Sequence, residues 1–335
     1  MTSNVGFFGK ERPLQSQPER GPRYDGGVVE TMHHGRWVIT GVSSWHYRAT
    51  SPYQEIAIGE VPYMGTCLFL DGWLQLAAVD EFIYHEHLVI PALLAHPNPK
   101  RVLILGGGDG LAAREALRHA HVQHVIMVDL DAMVVSACRQ YLRHLQEGAF
   151  NDPRLTIIVG DARDFLRNPG PPFDVVIVDL VDLMGTTRDL FEEVFDNLDN
   201  VINEHSIVVS HGPDPGPPLY EGLHLVDFLR RRFAHVVWYT AFITSFGETW
   251  TFGLASNGVD FAALPPETWH QRAQRLARAP RSLVPRALPA RFLHTQEEEE
   301  ILARLAQGHP DAPPPLPTWD AKIVDGERLI RLFDL

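Results

Sequence analysis

The sequence is poor in cysteine and almost without lysine. Its 335 residues hold two cysteines, Cys67 and Cys138, far apart in the chain. That excludes a disulfide framework and any paired-cysteine zinc spacing, and it fits a reducing compartment. Lysine occurs only at Lys10, Lys100 and Lys322, so arginine carries nearly all of the 29 basic residues. Against 42 acidic residues this leaves a formal charge of −13. Such a balance argues against nucleic acid or an anionic membrane as the main partner and suits a cationic small molecule. No run of about 18 apolar residues is present, so no membrane span is expected. The first residues, "MTSNVGFFGKERPLQSQPERGPRYDGG", have no apolar core, so they are not read as a signal peptide. The expectation is a cytoplasmic protein. Hydrophobic residues make up 45% of the chain, enough for a sizeable core.

What is present changes character along the chain. Residues 1–27 read as a flexible tail rich in Gln, Arg, Pro and Gly. Residues 28–96 alternate apolar and polar in short runs such as "YQEIAIGEV" and "TCLFLDG", with a turn at Asp71-Gly72. This predicts a small antiparallel β domain followed by a helix, "DEFIYHEHLVIPALLAH". Residues 97–258 alternate strand and helix. The strands "RVLILGG", "HVIMVDL", "LTIIVGDA", "DVVIVDL" and "SIVVSHG" are nearly unbroken apolar runs, as in a parallel sheet covered on both faces. One helix is expected over "DAMVVSACRQYLRHL". Two late strands, "HVVWYTAFI" and "TWTFGLAS", suggest an antiparallel pair on the sheet edge. Residues 259–335 form a C-terminal extension, with a peripheral helix bearing Glu297–Glu300, a proline-rich connector and a last strand-like piece. The fold class is α/β: a Rossmann-like, class I methyltransferase-type domain with a small N-terminal antiparallel β domain.

The chemistry gathers where strands end. "LILGGGDGLAA" runs from a strand through glycines into a helix, and Gly108-x-Gly110-x-x-Ala113 matches a relaxed dinucleotide fingerprint. Asp109 opposes that reading, because a carboxylate and a pyrophosphate would share one site. Asp129 ends the second strand, where an acid hydrogen-bonds ribose hydroxyls. Asp161 ends the third, where an adenine amino group can donate to it. Asp179 and Asp182 end the fourth. A strand-end Asp is often only a helix N-cap, and Asp131 reads best that way. Together, the remaining acids line a crevice that asks for a cationic nucleoside and a second cation. Decarboxylated S-adenosylmethionine is such a nucleoside, and a polyamine is such a cation.

The motifs "SPYQEIAI", "LFLDGWLQLAAVDEFIYHE", "HPNPKRVLILGGGDG", "MVDLD", "GDA" and "DLVDLMG" resemble the polyamine aminopropyltransferases, the spermidine, spermine and thermospermine synthase family. The resemblance runs from about Gly41 to Ser256. "PALLAHPNPK", "AAREALRH" and "TSFGETWTFGLAS" are similar to the thermospermine synthase branch. The resemblance implies that an acceptor amine attacks the aminopropyl carbon beside the sulfonium of decarboxylated S-adenosylmethionine, and methylthioadenosine leaves. This donor is a co-substrate, with no prosthetic group and no metal. Asp179 would be the general base, with Tyr84 and Asp182 orienting the acceptor. Gly106, Gly108 and Asp109 would form the donor loop, Asp109 gripping the donor's primary amine and repelling the carboxylate of the intact cofactor. Asp129 would take the ribose, Asp161 with Ala162 the adenine, and Gln54, Gln75 and His85 would line the donor site. "VDLMGTTRDLF" would act as a gate. A homodimer or larger oligomer is also implied.

Three departures bear on the acceptor. Leu183 stands where the family's gate loop has proline. His211 stands where putrescine-using members carry Gln, and Phe246 where they carry Tyr. Losing that hydroxyl predicts an acceptor longer than putrescine, such as spermidine, with His211 and Phe246 in its site and Asp214 and Glu248 as spare acids for distal amines. The rival readings are a methyltransferase on the same scaffold, a nicotinamide dehydrogenase and a non-catalytic member of the family.

Overall fold

A computed structural model describes residues 24–31, 37–168, 170–180, 188–214, 221–308 and 321–325. The chain opens with two small antiparallel sheets. β1 (Gly26–Thr31) and β2 (Trp37–Val42) form a hairpin. β3 (Ser44–Thr50), β4 (Glu55–Val61), β5 (Gly65–Leu70) and β6 (Trp73–Ala77) form a meander in that order. The β5–β6 connection is the two-residue turn expected at Asp71-Gly72. Both residues have positive φ, 50° and 79°, the geometry that matches strand twist in a tight hairpin.

α1 (Glu81–Ala95) follows. It was grouped with the N-terminal unit on sequence, but it packs elsewhere. Leu88, Val89, Ile90, Leu93 and Leu94 share a core with Val102 and Ile104 of the next strand and with Tyr239 and Phe252 near the chain's far end. A helix buried on nearly all sides belongs to the interior of the larger unit. The boundary therefore falls before α1 rather than at residue 96.

The main unit alternates as the sequence predicts. Its elements are β7 (Arg101–Gly106), α2 (Leu111–Leu117), β8 (His124–Asp129), α3 (Ala132–Tyr141), α4 (Arg143–Gln146), β9 (Leu155–Val159), α5 (Ala162–Arg167) and β10 (Val175–Asp179). α6 (Arg188–Asp196), β11 (Ile207–Asp214), α7 (Glu221–Arg230), β12 (His235–Ile243) and β13 (Glu248–Ser256) complete it. The sheet has seven strands in the order β12-β13-β11-β10-β7-β8-β9. β11, β10, β7, β8 and β9 run parallel, while β13 is antiparallel to both of its neighbours. The single helix expected over 131–145 is broken into α3 and α4. Arg114 Nη1 donates to the Leu145 carbonyl at 2.8 Å, and Gln146 Nε2 donates to the Asp109 carbonyl at 2.7 Å. These contacts hold the last turn of the segment in its own orientation.

The extension supplies α8 (Pro266–Ala273), α9 (Leu288–Arg291) and α10 (Gln296–Ala306). A Thr295–Glu298 capping box opens α10, with Glu297, Glu299 and Glu300 exposed as expected. β14 (Ala321–Asp325) pairs antiparallel with β1 and completes a three-stranded sheet with the β1–β2 hairpin. The last strand is thus part of the N-terminal unit, where Ile323 packs on the cluster of Val28, Val42 and Phe69.

Candidate active site

β7 and β10 are hydrogen-bonded neighbours, and β8 lies on the other side of β7. Their carboxyl ends therefore bring Asp109, Asp129 and Asp179 to one edge, where open parallel sheets bind ligands. The glycine loop makes this closeness possible. A Cβ on Gly106, whose φ is +83°, would lie 2.0 Å from the Asp179 carbonyl oxygen. A Cβ on Gly108 would lie 2.6 Å from Asp129 Oδ2. The glycines expected to admit a ligand also admit the acids of the adjacent strands.

Asp179 lies on the floor of this group. Its Oδ1 accepts a hydrogen bond from the Tyr84 hydroxyl at 2.9 Å, and His211 Nε2 lies 3.6 Å from the same oxygen. Burial, then the charge of Asp109, push the Asp179 carboxyl up to about 7; nearby His85 and the Tyr84 hydrogen bond offset part of that rise. Burial likewise raises Asp129 to about 6, against the opposing bond from the Asp131 amide at 2.9 Å. Burial keeps His211 neutral, with its imidazole pushed down to about 3. Asp109 Oδ1 accepts from the Leu111 amide at 2.7 Å, and its Oδ2 faces His85 Nε2 at 3.7 Å.

One side of the site is aromatic. The Tyr84 ring meets His85, His211, Phe246, Trp250 and Phe252 edge-on, with centroids 5.0 to 6.3 Å away. Such rings offer faces to a cation and exclude water from it.

Of the residues singled out from sequence, the structure brings together Tyr84, His85, Gly106, Gly108, Asp109, Asp129, Asp179, His211 and Phe246. Gln54 sits beside them, its amide donating to Asp131 Oδ2 at 3.1 Å. Gln75 is exposed on β6 and donates to the Trp73 carbonyl of its own strand at 3.2 Å. Asp161 caps α5 through the Arg163 amide at 2.8 Å and pairs with the Arg163 guanidinium, which holds its carboxyl low. Ala162 is buried in the core beneath. Asp182, Leu183 and most of the gate segment lie outside the described residues. Asp131 is the N-cap expected, accepting from the Met133 amide at 2.9 Å. Sequence reasoning missed Glu81, Arg114 and Trp250. The spacing of Glu81 and His85, one helical turn apart, was the signal available for the first. Among the described residues no group of three or more His, Cys, Asp or Glu is placed to hold a metal.

Two family models match this chain. Residues 81–262 match the spermine/spermidine synthase domain, and residues 29–78 the spermidine synthase tetramerisation domain. The chain belongs to the spermine/spermidine synthase family. A polyamine aminopropyltransferase of Pyrobaculum calidifontis is 35% identical over 253 residues, covering 73% of this chain and 87% of the relative. The crystal structure of spermidine synthase from Thermotoga maritima superposes with a TM-score of 0.73 at 28% identity, over 88% of this chain and 97% of that one. A spermidine synthase in complex with the transition state analogue AdoDATO superposes with a TM-score of 0.75 at 28% identity, over 88% and 98%. As a member of this family the chain is an enzyme of aminopropyl transfer, with decarboxylated S-adenosylmethionine as co-substrate. The family match disfavours the methyltransferase reading.

Proposed function

We propose that Asp179 is the general base of the transfer and that the acceptor is a polyamine longer than putrescine, such as spermidine. An alkylamine is protonated near neutrality, with a pKa near that of lysine, about 10. It must lose a proton before it can attack. A buried carboxyl held at about 7 is matched to that task, and this is the observation that carries the reading. The amine nitrogen bonds to the aminopropyl carbon as the carbon–sulfur bond breaks. The bonding pair stays on sulfur, methylthioadenosine leaves neutral, and Asp179 takes the amine proton. Tyr84 orients Asp179, and Asp182 pairs with it as in the family motif. Asp109 takes the primary amine of the donor, Asp129 the ribose, and Asp161 with Ala162 the adenine, while Gln54, Gln75 and His85 line the donor pocket.

The acceptor assignment is supported by Phe246, which presents a ring 6.3 Å from Tyr84 and no hydroxyl, and by His211 beside the base. Phe246 fits the thermospermine-type branch. The chain assembles as a homo-oligomer, a reading supported by the tetramerisation-domain match. Its two free, buried cysteines fit the cytoplasm. Initial rates with decarboxylated S-adenosylmethionine and either spermidine or putrescine test the assignment. The expected outcome is higher kcat/KM for spermidine, and a preference for putrescine overturns it.

A further inference from the structure

His85 is buried, with only acceptors at both ring nitrogens. Its Nδ1 meets the Glu81 backbone carbonyl at 2.7 Å and Glu81 Oε2 at 3.3 Å. Its Nε2 faces Asp109 Oδ2 at 3.7 Å. A neutral imidazole carries one proton, so one nitrogen would turn a lone pair toward a carbonyl or a carboxylate. Only the imidazolium satisfies both sides. A buried cation is costly unless it is paired, and Glu81 supplies the pairing. Glu81 is itself fixed by Arg114 of α2, whose Nη1 and Nη2 donate to its two carboxylate oxygens at 2.8 Å each.

We propose that Glu81 is a positioning residue for aminopropyl transfer: it maintains His85 as a buried cation beside Asp109 and Tyr84 and thereby sets the pH at which the base becomes active. The inference rests on the reading of Asp179 as the base. The titratable and charged groups around His85 come from every element packed there. On α1 these are Glu81, Tyr84 and Glu86. Asp109 comes from the glycine loop, Arg114 and Glu115 from α2, Asp129 from β8, Asp179 from β10 and His211 from β11. Burial alone would hold His85 neutral. Its pairing with the Asp109 and Glu81 carboxylates outweighs burial and lifts it to about 10. The same contacts with His85 and Arg114 overcome the burial of Glu81 and hold its carboxyl at about 2. The His85 charge in turn lowers Asp179.

The test uses the full-length enzyme with decarboxylated S-adenosylmethionine and spermidine. In wild type, ¹⁵N imidazole spectra, with the His85 signal identified by its loss in His85→Gln, should show an imidazolium at pH 8. A neutral ring there overturns the proposal whatever the Glu81 variants do. In Glu81→Gln the ring should lose its second proton, and the acid limb of the kcat profile should move to higher pH by roughly one unit. Glu81→Asp, which keeps the charge, should restore much of both. An imidazolium that persists in Glu81→Gln overturns the proposal. So does an unmoved limb in a folded variant, and Asp179→Asn then separates the causes. If residual activity in Asp179→Asn has lost the limb, the base reading stands and only the Glu81 link fails. If the limb survives in Asp179→Asn, the base reading fails and this inference falls with it.

Discussion

At Asp179 the proposed role as base and stability pull in opposite directions. Its carboxyl rises from 3.8 to about 7 on folding. Between those values the native state binds more protons than the unfolded chain, so this group's contribution to stability falls as pH rises through the window. Above about 7 the full penalty of a buried charge is present. As the proposed base, Asp179 must be in that charged form, so kcat/KM should fall as pH drops below about 7. Asp179→Asn should lower kcat at least ~100-fold. The same change should raise Tm by a few degrees at pH 8 and by little at pH 4, as followed by calorimetry at both pH values. On the proposed reading of Asp109 as the carboxylate that grips the donor's amine and repels the intact cofactor, Asp109→Asn should weaken decarboxylated S-adenosylmethionine and narrow its preference over the intact form by ~10-fold or more; titration calorimetry reads both. The positions of these acids were legible in the sequence, since each ends an apolar strand. Their ionisation was not. It depends on burial, and on neighbours such as His85 and Tyr84 that lie distant in the chain and meet only after α1 docks on the sheet.

Single elements show the same division. The period-two runs and the Asp71-Gly72 turn forecast the meander, because both signals are local. The placement of α1 was not local. Its apolar residues forecast a buried helix, but not that β7, α2 and the distant β12–β13 bury it. The break between α3 and α4 is likewise set by contacts with other segments, from Arg114 to the Leu145 carbonyl and from Gln146 to the Asp109 carbonyl. Asp131 ties two elements together. It caps α3, and its Oδ2 also accepts from Ser51 Oγ at 2.6 Å and Gln54 Nε2 at 3.1 Å. Asp131→Ala removes the cap and leaves Ser51, itself buried, without that partner. The loss should be about 2 kcal/mol in urea unfolding at pH 7, larger than for an exposed cap alone.

Across the whole molecule, the first and last described strands meet. β14 adds to the edge of β1, with Gly26 opposite Asp325 and Glu30 opposite Ala321. The proline-rich stretch before β14 hid this pairing from sequence reasoning, since a five-residue strand has no local sign of its partner. Val324 is 6% exposed. Val324→Asp would bury an unpaired charge and should lower Tm by several degrees, while leaving the acids of the large sheet unperturbed; thermal unfolding and a steady-state assay below the transition check both parts.

The strand order also sets a timetable. Asp109, Asp129 and Asp179 sit on strands that leave the ribosome early and can align with one another as soon as β10 has formed. Phe246, Trp250 and Phe252, which close the aromatic side around Tyr84, come from the β12–β13 hairpin some 70 residues later, several seconds of synthesis at about 5–20 residues per second. A nascent chain stalled between the two would hold these acids and Tyr84 without the rings that close around it. The aromatic side of the site is therefore completed last, and a truncation ahead of β13 removes Trp250 and Phe252 from around Tyr84.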